Sequence, residues 1–274
     1  MFNPASDGGR GRKRVSRYLE LLRAHFPQVR HAVTSRSGEE GLLTREAVRL
    51  GYRTIVAVGG DGTWSAVADE ILTQGFHDIT LGMLPAGTGN DFGRNLGIPG
   101  RDLEGAVRIL AQGRRIHVDA GRLVGPTRHE GRSDQVRAER FFLNVVGFGF
   151  DVAVVDGSVG ARFLRGELLY KATAVQQLFR YPGFTVTLEG EGGYRRSDPT
   201  LMLTITNGEH FGGGFPIAPG ASVRDGQLHA CYVGNAKPLR RLVLFDGAGK
   251  GRHERFREVD VVSAPRFSLA FTEP

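Results

Sequence analysis

Between residues 54 and 72 the chain reads as strand, glycine loop and helix, and this stretch constrains the fold more than any other. Thr54-Ile-Val-Ala-Val58 is a β-branched apolar run of the kind buried on both faces of a sheet. From Thr63 to Leu72 the spacing becomes helical, with Val67, Ile71 and Leu72 directed inward. Gly59-Gly60-Asp61-Gly62-Thr63 joins the two. In a parallel sheet the carboxyl ends of strands are where ligands bind, so the loop is a candidate site as well as a turn.

The flanking sequence repeats this alternation. Val15, Leu19, Leu22 and Phe26 step along one helical face, Val29 to Val33 reads as a strand, and Glu39 to Leu50 as a helix. Ile79 to Leu84 is another strand, and Leu103, Val107 and Leu110 mark one more helix. Such alternation predicts an α/β domain over residues 1–120, a parallel sheet with helices on both faces. Beyond residue 120 the texture changes. Phe141 to Val146, Phe184 to Leu188, Leu201 to Thr206, Leu228 to Val233, Val259 to Val262 and Phe267 to Phe271 are short strand-like runs separated by turn residues. Only Glu167 to Phe179 and Pro238 to Phe245 read as helical there, and Arg122 to Arg140 reads as an exposed loop. Residues 121–274 are therefore expected to form a β-sandwich domain.

Composition narrows the setting. The 274 residues include a single cysteine, Cys231, which excludes an internal disulfide framework and any cysteine-cluster metal site. The longest apolar run, Phe141 to Phe150, is about half of the ~20 residues that a membrane-spanning helix needs. With no signal peptide at its start, the chain is expected to be soluble and cytoplasmic. A net charge of +7 suits an anionic partner, a nucleotide or a lipid surface. No aromatic-interleaved basic stripe accompanies it, so a nucleic-acid partner is not expected.

The glycine loops carry the chemistry. Consecutive glycines let backbone N–H groups approach phosphate, and the start of the following helix adds a favourable dipole. Asp61 would repel phosphate, so beside one its task is to hold Mg²⁺ directly or through water. A plain turn is the alternative. A second loop, Pro85-Ala-Gly-Thr-Gly-Asn-Asp-Phe92, follows the next strand and offers Thr88, Asn90 and a second carboxylate, Asp91. Neither a Walker-A loop nor the Rossmann dinucleotide fingerprint is present, so a nucleotide would be held by these loops instead.

Taken together, Asn3-Pro-Ala-Ser6, Gly59-Gly-Asp-Gly-Thr63 and Pro85-Ala-Gly-Thr-Gly-Asn-Asp-Phe92 resemble the diacylglycerol kinase catalytic family, which includes bacterial lipid kinases and sphingosine and ceramide kinases. The first glycine loop is shared with NAD kinases; the second is more specific to lipid kinases. Val118-Asp119-Ala-Gly121, Phe142-Leu-Asn144, Phe211-Gly-Gly-Gly214, Ala218-Pro-Gly-Ala221 and Asp225-Gly226 extend the resemblance through the second half. It implies ATP and Mg²⁺ as cofactors, bound in a cleft between a nucleotide domain and a β-sandwich. It implies nucleotide contacts at Asn3, Ser6, Thr34, Gly59, Gly60, Asp61, Gly62, Thr63, Trp64, Ser65, Gly87, Thr88 and Asn90. Asp61, Asp91 and Asp119 match the aspartates of a catalytic Mg²⁺–water network, and Ser222, Asp225 and Gln227 match a structural Mg²⁺ site. Ordinary turn chemistry explains Asp225-Gly226 equally well.

The reaction so implied is transfer of the ATP γ-phosphoryl to a lipid hydroxyl, most simply that of diacylglycerol. A sphingoid base, ceramide, phosphatidylglycerol or NAD are alternative acceptors, and nucleotide binding without transfer is a further one. Transient docking at the inner membrane face is expected, through arginines 10, 12, 14 and 17 or 252, 255 and 257, and the resemblance leaves room for a homodimer. It also implies a strand ahead of the Asn-Pro loop and an Asp-Gly-Glu base motif after the last strands. The sequence starts at Met1-Phe2 and stops at Phe271-Thr-Glu-Pro274, so it reads as a fragment at both ends, the alternative being a member that lacks the base and is catalytically impaired.

Overall fold

A computed structural model describes residues 1–4, 11–36, 38–127, 136–159 and 176–272. The chain forms two compact units, Met1–Asn144 and Val145–Pro274.

In the first unit, strand β1 (Thr54–Gly59) pairs in parallel with β2 (Thr80–Pro85), from Thr54 opposite Thr80 to Gly59 opposite Pro85. Phe2 extends this sheet. It bridges Val58 on one side and Val33 on the other, both in parallel sense, with Asn3 N donating to Val58 O and Thr34 N donating to Phe2 O. The strand expected over Val29 to Val33 is thus reduced to the one bridge at Val33.

Side-chain alternation sends Val56 and Val58 to one face and Ile55 and Ala57 to the other. On the first face lie helices α1 (Gly11–His25) and α5 (Leu103–Ala111), with Tyr18, Leu22, Ala106 and Val107 packed against Val58 and Leu84. Helix α3 (Asp61–Thr73) covers the second face. Its Trp64, Val67 and Ile71 are buried, and the Trp64 indole N–H donates to Ala57 O (3.1 Å). Burying each such side chain contributes roughly 1.5–3 kcal/mol. Leu72 departs from expectation. It is 39% exposed, because α3 continues through Thr73 and turns Leu72 about 100° from Ile71, off the apolar stripe. Helix α2 (Glu39–Arg49) packs on α3, and the short α4 (Asp91–Asn95) follows the second glycine loop.

The exposed loop expected over Arg122 to Arg140 is corrected at its two ends, residues 128–135 lying outside the described residues. Residues Gly121–Thr127 (β3) and Val136–Phe142 (β4) form an antiparallel pair, with Gly121 opposite Phe142. The Arg122 guanidinium pairs bidentately with the Glu139 carboxylate (2.7 and 2.8 Å). Phe141 N donates to the Asp69 carboxylate of α3 (2.8 Å), which fixes the ribbon to that helix.

The second unit is built on antiparallel strands: β5 (Val145–Gly149), β6 (Phe184–Gly190), β7 (Tyr194–Thr206), β10 (Leu228–Gly234), β11 (Val259–Ala264) and β12 (Phe267–Phe271). The 13-residue β7 is the spine. One edge pairs with β10; the other pairs with β6 along its first half and with β5 along its second. A small pair, β8 (His210–Phe211) and β9 (Phe215–Pro216), lies apart from this sheet. Helices of the unit include α6 (Phe150–Val159) and α7 (Pro238–Gly249). The first was not expected from the sequence. Of the helix expected over Glu167 to Phe179, residues 176–179 are helical and the remainder lies outside the described residues. Phe150, Val154, Leu201, Cys231 and Leu244 form the core, and burial pushes the Cys231 thiol pKa well above its ordinary value.

Candidate functional site

Both glycine loops begin where their strands end, side by side, because β1 and β2 are adjacent and parallel. They meet backbone to backbone. A Cβ on Gly60 would lie 3.1 Å from the Gly87 Cα, and one on Gly87 would lie 2.6 Å from the Gly60 Cα. Only glycine at both positions permits this approach. Ala86 N donates to Gly59 O (2.7 Å), tying the loops together. Asn90 holds the second loop in shape. Its φ of 54° is the sole positive value at a non-glycine among the described residues. Its side chain accepts from Gly87 N (3.0 Å) and donates to Gly87 O (2.7 Å), a local pairing suited to asparagine in a left-handed conformation.

Asp61, the first residue of α3, directs its carboxylate to the next helix. Oδ2 accepts from Asp91 N (3.1 Å) and Oδ1 from Phe92 N (2.9 Å), so Asp61 caps α4 across the two loops. Asp91 is buried, with Arg94 Nε 3.5 Å from its Oδ1. Gly89 lies between the carboxylates: a Cβ there would be 3.3 Å from both Asp61 Oδ2 and Asp91 Oδ2. The structure thus brings Asp61 and Asp91 to one place.

Asn3 joins the same group. Its amide donates to Thr63 Oγ1 (3.0 Å) and to Glu40 Oε1 (3.3 Å). Glu40, not among the residues expected at the site, is buried; its other carboxylate oxygen accepts from Gly38 N (3.1 Å). A glutamate at 5% exposure is a signal that only burial can give. Thr34 is buried one hydrogen bond from Phe2, next to Asn3. Gly62 and Thr88 stand exposed on the rim, with Ser65 half-buried. Trp64 belongs to the core, so its contribution to a ligand is limited to its backbone. Asp119 lies in the irregular segment before β3, and Ser6 falls outside the described residues.

Ser222, Asp225 and Gln227 cluster in a turn of the second unit. Asp225 Oδ1 accepts from Gln227 N (3.0 Å) and Ser222 Oγ accepts from Arg224 N (3.3 Å), with Gly226 at φ 70°. These are the hydrogen bonds of Asx and serine turns.

The second unit also encloses an apolar cavity, walled by side chains such as Phe150, Leu201, Phe215 and Leu244. Asp151, Arg241 and His253 are its ionisable lining groups. The Arg241 guanidinium makes four hydrogen bonds, donating to the carbonyls of Ala236, Leu178 and Tyr181 and to Asn235 Oδ1 (2.7–2.9 Å). His253 presents one ring nitrogen to Ile217 O (2.9 Å). By contrast, Asp151 Oδ1 and His253 Nδ1 are buried without a hydrogen-bond partner among the described residues. Burial pushes the Asp151 carboxyl up to about 6. Neither residue stands out in the sequence, where Asp151 interrupts an apolar run and His253 sits in the charged stretch Arg252-His-Glu-Arg255.

Residues 1–123 match the sequence profile of the diacylglycerol kinase catalytic domain, and residues 144–273 match that of the YegS C-terminal NAD kinase β-sandwich-like domain. A diacylglycerol kinase of Mycobacterium tuberculosis is 28% identical over 264 residues, covering 96% of this chain and 82% of that one. A probable lipid kinase YegS-like protein of Klebsiella pneumoniae is 29% identical over 212 residues, covering 77% of this chain and 66% of the other. Among solved structures, a putative diacylglycerol kinase from Bacillus anthracis superposes with a TM-score of 0.71, covering 99% of this chain and 85% of that one. At 23% identity that likeness speaks for the fold alone.

Proposed function

Because the chain belongs to the diacylglycerol kinase catalytic-domain family, we propose that it transfers the γ-phosphoryl group of ATP to a lipid hydroxyl, with diacylglycerol as the acceptor. The observation that carries this reading is the meeting of Gly60 and Gly87, which leaves two glycine loops free of side-chain bulk beside a pair of carboxylates. Phosphoryl transfer is mostly a matter of positioning and charge neutralisation, and such loops supply both.

In this reading the backbone of Gly59, Gly60, Gly62 and Gly87 approaches the phosphates, while Asn3, Ser6, Thr34, Thr63, Ser65, Thr88 and Asn90 contribute polar contacts to the nucleotide. Trp64 shapes the loop from beneath. Magnesium suits the site: it is a hard cation that takes oxygen ligands, usually one or two carboxylates with waters and phosphate oxygens. The carboxylates that flank Gly89 provide that donor set. Asp61 and Asp91 would hold the ion, with Asp119 assisting through water. When bound it neutralises charge on the transferring phosphate. In the second unit, the apolar cavity suits an acyl chain, and the unsatisfied Asp151 Oδ1 and His253 Nδ1 suit the polar atoms at its head.

Radiolabelled ATP supplied with separate samples of diacylglycerol, sphingosine, ceramide, phosphatidylglycerol and NAD tests the reading. Label in phosphatidic acid is the expected result. Label confined to NAD, or ATP binding with no transfer to any acceptor, would overturn it.

A further inference from the structure

Helix α7 has two apolar sides. Arg241, Leu244, Phe245 and Ala248 face the cavity. On the opposite side Leu239, Leu242 and Val243 share one strip at helical spacing, and they are 74%, 37% and 46% exposed. Single exposed aliphatics are ordinary on protein surfaces; three on one strip, on a helix whose inner side is already buried, are not. The strip has a neighbour. Arg241 ties the carbonyls of Leu178 and Tyr181 to α7, and Phe179 between them is 48% exposed.

Charge says what covers this face. From 237 to 258 the chain carries seven Lys and Arg against three Asp and Glu. Lys237 at the start of α7, and Arg252 and Arg255 after its end, are exposed with no carboxylate within 4.0 Å among the described residues. The acid on the same face, Asp246, is paired with Lys250 (2.7 Å). An aliphatic strip flanked by unpaired cations matches the acyl–headgroup boundary of an anionic bilayer. A protein partner would more often bring aromatic anchors against it, and another copy of this chain would bring the same positive charge. The amino-terminal alternative is weaker, since Arg17 already pairs with Glu20 and Glu104.

We propose that the Leu239–Leu242–Val243 strip of α7, with Lys237, Arg252 and Arg255, is the surface by which the second unit docks on an anionic lipid membrane. The proposal rests on the lipid-kinase reading and deepens it: the helix that lies on the bilayer also walls the cavity that would receive the lipid.

The test compares the whole chain with its Leu239→Ser/Leu242→Ser/Val243→Ser variant, both checked by thermal melting. Sedimentation with phosphatidylglycerol vesicles should show binding of the parent chain, weakened by salt and absent on phosphatidylcholine. The variant should bind about tenfold more weakly or worse. Activity is read in parallel on diacylglycerol in those vesicles and on a short-chain diacylglycerol in solution. Docking predicts a loss on vesicles only. Equal vesicle binding by both proteins, no binding by the parent chain, or a concentration-dependent dimer abolished in the variant would overturn the proposal. Absence of transfer to the short-chain lipid by the parent chain would instead defeat the kinase reading.

Discussion

A methyl group on Gly87 would come within 2.6 Å of the Gly60 Cα, and neither backbone can yield without breaking the Ala86–Gly59 hydrogen bond. Gly87→Ala should therefore part the loops. We expect a loss of about 1–3 kcal/mol in stability and about a tenfold or greater loss in ATP affinity, measurable by urea melts and calorimetry. Asp61 has a double task in this geometry. Its carboxylate caps α4, so Asp61→Asn places an amide N–H₂ against a backbone N–H and costs about 1–2 kcal/mol. The same change should lower phosphoryl transfer about 100-fold or more if the site holds magnesium. Near-normal transfer by a destabilised Asp61→Asn protein would leave the capping role alone standing. Asp151 sets a pH dependence of its own. Its folded carboxyl titrates near 6 against an ordinary 3.8, so between those values the folded chain binds more protons than the unfolded one. Stability should then fall as pH rises from about 4 to about 6, by up to ~3 kcal/mol, and stay flat above. Asp151→Asn should abolish that slope in urea melts taken across the window, and a persisting slope would assign the effect elsewhere.

Elements that bury their pattern were legible in the sequence; those that do not were missed. The β1–loop–α3 unit could be read because Ile55, Ala57 and Val58 are apolar in succession and the glycines lie between two distinct periods. The β3–β4 ribbon could not. Apart from its end at Phe141 and the buried Phe142, which fall in a strand-like run, its side-chain contacts are polar, such as the Arg122–Glu139 pair, so most of its residues look like those of a solvated loop. Helix α6 begins in a run of β-branched valines of poor helix propensity, and it is the burial of Phe150 and Val154 that supports its first turns. The clustering of Asp61 with Asp91 could be anticipated from strand adjacency; the roles of Glu40, Asp151 and His253 depend on burial that no local pattern encodes. Helix α7 shows the same dependence. Its Arg241 gives its hydrogen bonds to carbonyl and amide oxygens of two segments, 178–181 and 235–236, and an ammonium group cannot reproduce that planar fork. Arg241→Lys should destabilise the second unit by about 2–4 kcal/mol, whereas the exposed Arg255→Lys should change a urea melt little.

At the scale of the whole molecule, each unit has its own core and its own share of the inferred chemistry, phosphate loops in the first and an apolar cavity in the second. Among the described residues no helix is long and apolar enough to cross a membrane. The distribution of two rare residues has a practical consequence. The chain contains one tryptophan and one cysteine. Trp64 is fully buried in the first unit and Cys231 fully buried in the second, its thiol further silenced by a raised pKa. Nature has thus installed one optical and one chemical clock, one per unit. Indole emission follows the opening of the nucleotide half, and the rate of thiol alkylation follows the opening of the β half. With ATP present, the first clock should slow. If the second keeps its pace, the two halves breathe independently; if both slow together, binding at one has been felt at the other.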